Sequence, residues 1–272
     1  MSTSNKVALV TGASSGIGEA GARKLNELGY TVYGAARRVE RMKGLADAGV
    51  HVLAMDVTDA ESMTEGVKRI IDENGRIDVL VNNAGYGSYG AVEDVPLDEA
   101  RAQFEVNVFG AAQLIQLVTP HMRAQGSGRI INITSMGGKI YTPFGGWYHG
   151  TKFALEALSD SLRNELRPFG VDVVVIEPGG IRTEWGGIAA DNLRQTSGEG
   201  AYAKPVARMA TMMGRDGLGS DPKVIANAIA RAATARRPRT RYAVGMGAKP
   251  AIFLRWLLPD RAFDGLIRLG LG

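Results

Sequence analysis

Val7-Ala8-Leu9-Val10-Thr11-Gly12-Ala13-Ser14-Ser15-Gly16-Ile17-Gly18 decides the fold of this chain. A short β-branched run ends in a turn carrying three glycines, and that turn opens directly into a helical pattern. At such a junction the missing side chains let backbone approach a ligand. The helix N-terminus offers free N–H groups and the positive end of its dipole. The reading is a pyrophosphate cradle in a first βαβ unit, built from Gly12, Ser14, Ser15, Gly16, Ile17 and Gly18. The spacing Gly12-x-x-x-Gly16-x-Gly18 is not the Gly-x-Gly-x-x-Gly of the common dinucleotide fingerprint. A purely structural glycine turn is the alternative.

Outward from that turn, short β-branched runs alternate with longer amphipathic stretches, the pattern of βαβ units feeding a parallel sheet. Strands are expected over residues 7–10, 31–35, 50–55, 77–81, 129–134 and 171–176, with a seventh over 241–244. Helices are expected over 16–28, 61–73, 98–123, 147–167 and 222–235, the last with Asp221 as N-cap and Pro222 in its first turn. The fold class is α/β, a doubly wound parallel sheet of about seven strands with helices on both faces. No linker divides residues 1–272, so a single domain is expected. The rhythm breaks over 183–219, where Trp185, Leu193, Tyr202, Met209, Met212 and Met213 are scattered among glycines and polar residues. That stretch reads as a mobile apolar lid over a substrate, with an ordinary surface insertion as the alternative.

Composition narrows the classes of function. The chain has 272 residues, 45% of them hydrophobic and 22% charged, with a net charge of +4. Arg231, Arg236, Arg237, Arg239 and Arg241 bunch late and read as a solvated surface in preference to an anion patch. No motif supports nucleic-acid binding. With no cysteine, disulfides, thiolate zinc sites and a cysteine nucleophile are excluded. His51, His121 and His149 stand alone, so no metal is expected. The apolar run near the N-terminus is too short for a signal peptide, and a cytoplasmic protein is expected. Arg255, Pro259, Asp260 and Arg261 interrupt the greasy tail over 251–272 well short of a membrane span, leaving it to pack on the core or touch a bilayer surface.

The second strand ends Ala35-Ala36-Arg37-Arg38, where an NAD enzyme usually carries an acid for the ribose 2′-hydroxyl. A missing carboxylate and an added guanidinium both favour the 2′-phosphate of NADP(H), which arginine pairs in a planar, charge-assisted contact. NAD(H) stays possible through Glu40, and Arg37 and Arg38 could instead be solvated charges.

Tyr148 and Lys152 stand at i and i+4, one turn apart on one helix face, and Ser135 precedes the tyrosine by thirteen residues. The set could gather a hydroxyl, a phenol and an ammonium around one carbonyl oxygen. The ammonium is expected to favour the phenolate, since a phenol titrating near 10 is otherwise a poor proton donor or acceptor at neutral pH. Asn107 interrupts an apolar stretch and is a mediocre helix-interior residue. A buried capping amide is its plain reading. His149 adjoins Tyr148 but lies around the helix from it, and reads as packing or surface, not as a base.

Thr11-Gly12-x-x-x-Gly16-x-Gly18, Asp56-Val57, Asn82-Asn83-Ala84-Gly85, Asn107, Ser135, Tyr148-x-x-x-Lys152 and Pro178-Gly179 together resemble the compact, single-domain branch of the short-chain dehydrogenase/reductase family. The resemblance spans about residues 6–183 and implies a Rossmann-type sheet and hydride transfer between a nicotinamide and a carbonyl or secondary alcohol. It implies that Asp56, with Val57, meets the adenine and that Asn83, Ala84 and Gly85 line the adenosine side. Pro178 and Gly179 would border the cofactor, and Ile181 and Thr183 would hold the nicotinamide carboxamide. It further implies that Tyr148 delivers the proton, that Ser135 binds the same oxygen, and that Lys152 also holds the nicotinamide ribose. Asn107 would support a water leading to the lysine. The bland readings are a turn aspartate, a strand-end amide and a loop threonine.

Tyr86, Tyr89, Met136, Phe144 and the lid suggest an apolar pocket for a lipophilic carbonyl or alcohol such as a steroid, retinoid or fatty-chain ketone. Core packing explains the same residues equally well. The segment 135–185 is similar to the hydroxysteroid-dehydrogenase-like subgroup. Leu155, Leu158, Leu162 and Leu166 form one stripe flanked by Phe153, Ala154 and Ala157, which points to self-association. The resemblance implies a homodimer or homotetramer. The leading expectation is an NADP(H)-dependent oxidoreductase; the rival is a noncatalytic NADP-binding regulator on the same fold.

Overall fold

The computed structural model describes residues 6–215 and 217–271. Residues 1–5, Asp216 and Gly272, which belong to the expected start, lid and tail, lie outside the described residues. Among the described residues seven strands form one parallel sheet. They are β1 (Val7–Thr11), β2 (Thr31–Ala36), β3 (His51–Ala54), β4 (Val79–Asn82), β5 (Gly128–Ile133), β6 (Val171–Pro178) and β7 (Arg241–Val244). Their order is β3-β2-β1-β4-β5-β6-β7. Val10 lies opposite Gly34 of β2 on one side and Val81 of β4 on the other. The chain leaves β1 in one direction for β2 and returns past it to β4. A crevice therefore opens at the carboxyl ends of β1 and β4, where ligands of doubly wound sheets bind.

β1 is buried at every position because helices cover both faces of the sheet, which is why its sequence runs apolar without alternation. The pleat still sorts its side chains. Ala8 and Val10 point into one core with Ile131, Val174, Ile225 and Ile229, and Val7 and Leu9 into the other with Ile70, Leu80, Leu114 and Val173. Helices α1 (Gly16–Glu27) and α9 (Lys223–Thr234) build the first core. Helices α3 (Ala60–Asn74), α5 (Gly110–Gln125) and α6 (Gly146–Leu166) build the second. Between them in sequence fall α2 (Lys43–Ala46), α4 (Leu97–Phe104), α7 (Trp185–Ser197) and α8 (Ala203–Met213); α10 (Ala248–Leu257) and α11 (Asp260–Leu271) follow β7. The ends of α3 obey local rules: Asp59 Oδ1 accepts from the amides of Glu61 and Ser62, and Gly75 closes the helix at φ 70°.

Four expectations are corrected. The helix expected over 98–123 is broken into α4 and α5 by a π-turn, Glu105–Phe109, which contains Asn107. Helix α9 starts at Lys223, so Pro222 is its N-cap and not a first-turn residue, and Asp221 stands one residue before the cap, where it accepts from the Lys223 amide at 2.8 Å. The stretch expected to be irregular over 183–219 is largely helical. Ala189, Ala190 and Leu193 of α7 and Val206, Met209 and Ala210 of α8 bury one shared face. Tertiary packing there overrides the poor propensity of glycine and polar residues. Arg241 is not a solvated surface charge: it is partly buried and ion-paired with Glu156 and Asp160 at 3.0 and 2.6 Å. Among the described residues no helix is long and apolar enough to cross a membrane.

Candidate active site

The crevice is pinned by one hydroxyl and one amide. Thr11 Oγ1, at the end of β1, accepts from the backbone N–H groups of Asn83 and Ala84 at 3.0 Å each, and Asn83 Nδ2 donates back to Thr11 O at 2.9 Å. The glycine turn packs against this clasp. A Cβ at Gly18 would fall 2.2 Å from Gly12 O, so that position accepts no side chain without moving backbone. Gly12 and Gly16 turn through φ 65° and 56°, the left-handed region glycine tolerates. Ser15 stands at the N-cap of α1 yet makes no capping bond to the helix. Its hydroxyl and the first-turn N–H groups, which lack intrahelical acceptors, form a cradle suited to an anion.

Around that cradle the remaining sequence-selected residues occupy one edge of the sheet. Arg37 and Arg38 are exposed directly after β2, with Glu40 exposed beside them. Asp56, past β3, is tied into its turn by accepting from Thr58 N and Oγ1 at 2.9 and 2.8 Å. Val57 O lies so near α5 that a Cβ at Gly110 would stand 2.2 Å from it. Pro178 ends β6, and Gly179 donates to Val244 O at 2.8 Å. Ile181 bridges to Ser220, and Thr183 Oγ1 accepts from the Trp185 amide at 3.3 Å. A Cβ at Gly16 would touch the Thr183 methyl at 3.1 Å, which brings the glycine turn and the start of the lid together.

Ser135, Tyr148 and Lys152 meet at the same edge. Ser135 follows β5, and its hydroxyl lies near enough to the Tyr148 phenol to draw its pKa down. Tyr148 and Lys152 share a face of α6, with the ammonium 5.9 Å from the centre of the phenol ring. Lys152 Nζ donates to Ile133 O at 3.0 Å. Asn107 braces the group from the π-turn. Its Oδ1 accepts from Tyr86 N at 3.0 Å, and its Nδ2 donates to Tyr86 O at 2.9 Å and Thr151 Oγ1 at 3.0 Å. Gly85 fits between: a Cβ there would lie 2.9 Å from Asn107 Oδ1 and 3.6 Å from Lys152 Nζ.

The electrostatics differ from the expectation that Lys152 holds the phenol low. Burial pushes Tyr148 up to about 12, with the nearby Ser135 hydroxyl opposing. Burial likewise draws Lys152 down to about 8, with the Glu156 carboxylate opposing. Desolvation thus wins over pairwise attraction in the protein alone. At neutral pH the phenol keeps its proton and the amine keeps its charge.

An aromatic roof covers Tyr148. Its ring lies 5.3 Å from Trp185 and 5.6 Å from Tyr89, and Phe144, Tyr202 and Met213 pack on the same cluster. Met136 is half-buried beside Ser135. Sequence reading missed the ion cluster beneath the site. Glu156, one turn past Lys152, accepts from Thr134 Oγ1 at 2.6 Å and pairs with Lys139 at 3.0 Å as well as with Arg241. Glu177 of β6 is buried beside it, 3.4 Å from Arg241 Nε, and is pushed up to about 7 by burial and then by Glu156. The i, i+4 spacing of Lys152 and Glu156 was the available signal.

A doubly wound sheet with an anion cradle at its switch point, beside a grouped hydroxyl, phenol and ammonium, defines a dinucleotide-dependent oxidoreductase. The short chain dehydrogenase family matches residues 6–192, and the chain belongs to that family. It is 36% identical over 242 residues, 88% of each chain, to a 3-ketodihydrosphingosine reductase of Bacteroides thetaiotaomicron. It is 34% identical over 271 residues, 95% of each chain, to an NADPH-dependent 3-dehydrocapnine reductase of Ornithobacterium rhinotracheale. A crystal structure of a metagenomic short-chain oxidoreductase in complex with NADP superposes with a TM-score of 0.71 at 30% identity, covering 90% of this chain and 98% of that one.

Proposed function

We propose that the protein is an NADP(H)-dependent reductase of lipophilic ketones, with a fatty-chain 3-ketone as the favoured substrate class. The observation that carries the reading is Ser135 beside the Tyr148 phenol with Lys152 on the same helix face, its ammonium 5.9 Å from the phenol ring centre. When bound, a reduced nicotinamide would supply the hydride for the carbonyl carbon, and this chain's own residues would meet the negative charge that then grows on the carbonyl oxygen. Tyr148 gives its proton to that oxygen, completing the C–H and O–H bonds of the alcohol. With its pKa pushed up to about 12 the phenol is protonated at neutral pH, the form that reduction requires. The Ser135 hydroxyl holds the oxygen, and the Lys152 charge stabilises the phenolate left behind. Asn107 anchors the backbone around Tyr86 and Thr151 and stands where a proton path to the lysine would pass.

Ser15 and the amides of Gly16, Ile17 and Gly18 would hold the pyrophosphate, and Arg37 and Arg38 the 2′-phosphate. Asp56, Val57, Asn83, Ala84 and Gly85 would border the adenosine, and Pro178, Gly179, Ile181 and Thr183 the nicotinamide. Support for the cofactor comes from the Ala36-Arg37-Arg38 strand end, the NADP complex and the NADPH-dependent relative. Support for the substrate comes from the aromatic roof and from relatives named for 3-keto and 3-dehydro compounds. The helical pair α7 and α8 acts as the lid over this pocket, within one domain, and subunits associate through α6.

Tyr148→Phe is expected to abolish NADPH oxidation with 3-ketodihydrosphingosine while leaving the NADPH Kd within about threefold. Arg37→Ala is expected to weaken NADPH about 10–100-fold and NADH hardly at all, the range for losing a charge-assisted bond. Full turnover by Tyr148→Phe would defeat the assigned chemistry, whereas absence of turnover by the wild-type protein across a panel of ketones would favour the noncatalytic regulator.

A further inference from the structure

His149 follows the candidate proton donor in sequence, and its ring is buried under the loop that joins Ser135 to Tyr148. Two contacts fix its chemical form. Nδ1 lies 2.9 Å from Gly137 O, a carbonyl that can only accept, so Nδ1 carries the proton. Nε2 accepts from the Thr142 amide at 3.1 Å, which can only donate, so Nε2 is bare. The imidazole is therefore the neutral Nδ1–H tautomer, and burial keeps its pKa below the ordinary histidine value.

The loop is shaped around this ring. A Cβ at Gly137 would fall 2.9 Å from Nδ1, and one at Gly145 would fall 2.7 Å from Nε2. Phe144 turns through φ 63°, a left-handed conformation that a bulky residue adopts only when its surroundings impose it. Its carbonyl accepts from Gly90 N at 2.8 Å, a second restraint on the loop.

Gly137 links the imidazole to the chemistry. Its carbonyl is held by His149, and its N–H donates to Ser135 Oγ at 2.9 Å. Having accepted that N–H, the Ser135 oxygen must direct its own proton elsewhere, toward the phenol and the oxygen that the phenol protonates. We propose that His149 is a positioning residue: by clamping Gly137 and Thr142 it sets the direction in which the Ser135 hydroxyl donates. The proposal rests on the ketone-reductase reading and adds to it a residue with no contact to substrate.

Steady-state NADPH oxidation with 3-ketodihydrosphingosine tests it, with NADPH Kd by fluorescence and melting temperature alongside. His149→Ala should lower kcat about 10–100-fold, within the range for losing an aimed donor at a developing oxyanion, with KM and NADPH Kd within about threefold. His149→Asn, whose amide can replace Nδ1–H at Gly137 O, should restore most of kcat. His149→Gln, which reaches only as far as Nε2, should not. In a Ser135→Ala background, His149→Ala should cost nothing more, because the group it aims is gone. Equal kcat for the Asn and Gln variants, or losses that multiply in the double variant, would overturn the clamp. Unaltered turnover by Ser135→Ala alone would instead sink the ketone-reductase chemistry. If His149→Ala does not fold, the Asn and Gln variants carry the comparison.

Discussion

Lys152 sits at the balance point of the site. Burial draws its pKa down to about 8 and Glu156 resists, so its charge is lost within reach of ordinary buffers. The sign is direct: ammonium below about 8 supports the departing proton of Tyr148, and neutral amine above it does not. Reduction is expected to hold level to about pH 7.5 and fall above about 8, while Lys152→Arg, charged throughout, should keep whatever rate it has across the same range. Stopped-flow NADPH oxidation from pH 6 to 10 measures this, and a wild-type profile flat to pH 10 would contradict it. The pairing of Tyr148 with Lys152 was legible in the sequence because helix geometry puts i and i+4 on one face, whereas Ser135 comes from the end of β5, outside that helix. Its electrostatics were not. They depend on Trp185 and Tyr89 excluding water from Tyr148, contacts that bring together residues far apart in the chain.

At the level of elements, α6, β6 and β7 enclose an ionic layer under the site, where Glu156, Asp160 and Glu177 face Arg241 and Lys139. Glu177 is raised from 4.5 to about 7, so it prefers its proton when folded. Such a group stabilises the fold below its unfolded value, and that contribution is lost as pH rises through about 7. Glu177→Gln should therefore melt like wild type near pH 4.5 and roughly 2–6 °C higher at pH 8.5, read by calorimetry. A variant that melts lower at pH 8.5 would show that the carboxylate is needed charged. The layer escaped sequence reading because Arg241 lies 85 residues from Glu156, and a late arginine cluster looks like any solvated face. The π-turn around Asn107 was half-legible: a polar residue inside an apolar stretch signalled distortion but not its type. The lid looked irregular because its glycines hide a face that is apolar only when α7 and α8 are paired.

At the scale of the molecule, the π-turn before α5 leaves Phe109 exposed, and α6 leaves Phe153 and Leu158 exposed. Apolar surface of that kind suits the association through α6 proposed above. Phe153→Asp with Leu158→Lys is expected to convert an oligomer to monomer in light scattering at micromolar concentration; a protein already monomeric as wild type would refute the face. The sheet was readable from its strands, whose unbroken apolar runs announced cover on both sides. The tail was not, since α10 and α11 bury Phe263 but leave Phe253, Trp256 and Leu269 exposed. The strand order has one more consequence. Thr11 must find Asn83, 72 residues later, and the far end of the cleft waits for Thr183. A chain emerging from the ribosome offers nucleotide no complete berth until most of its length has been made and its long-range pairings have closed. Ligand binding then stabilises finished molecules selectively, so cells short of nucleotide should carry more of this protein in protease-sensitive form.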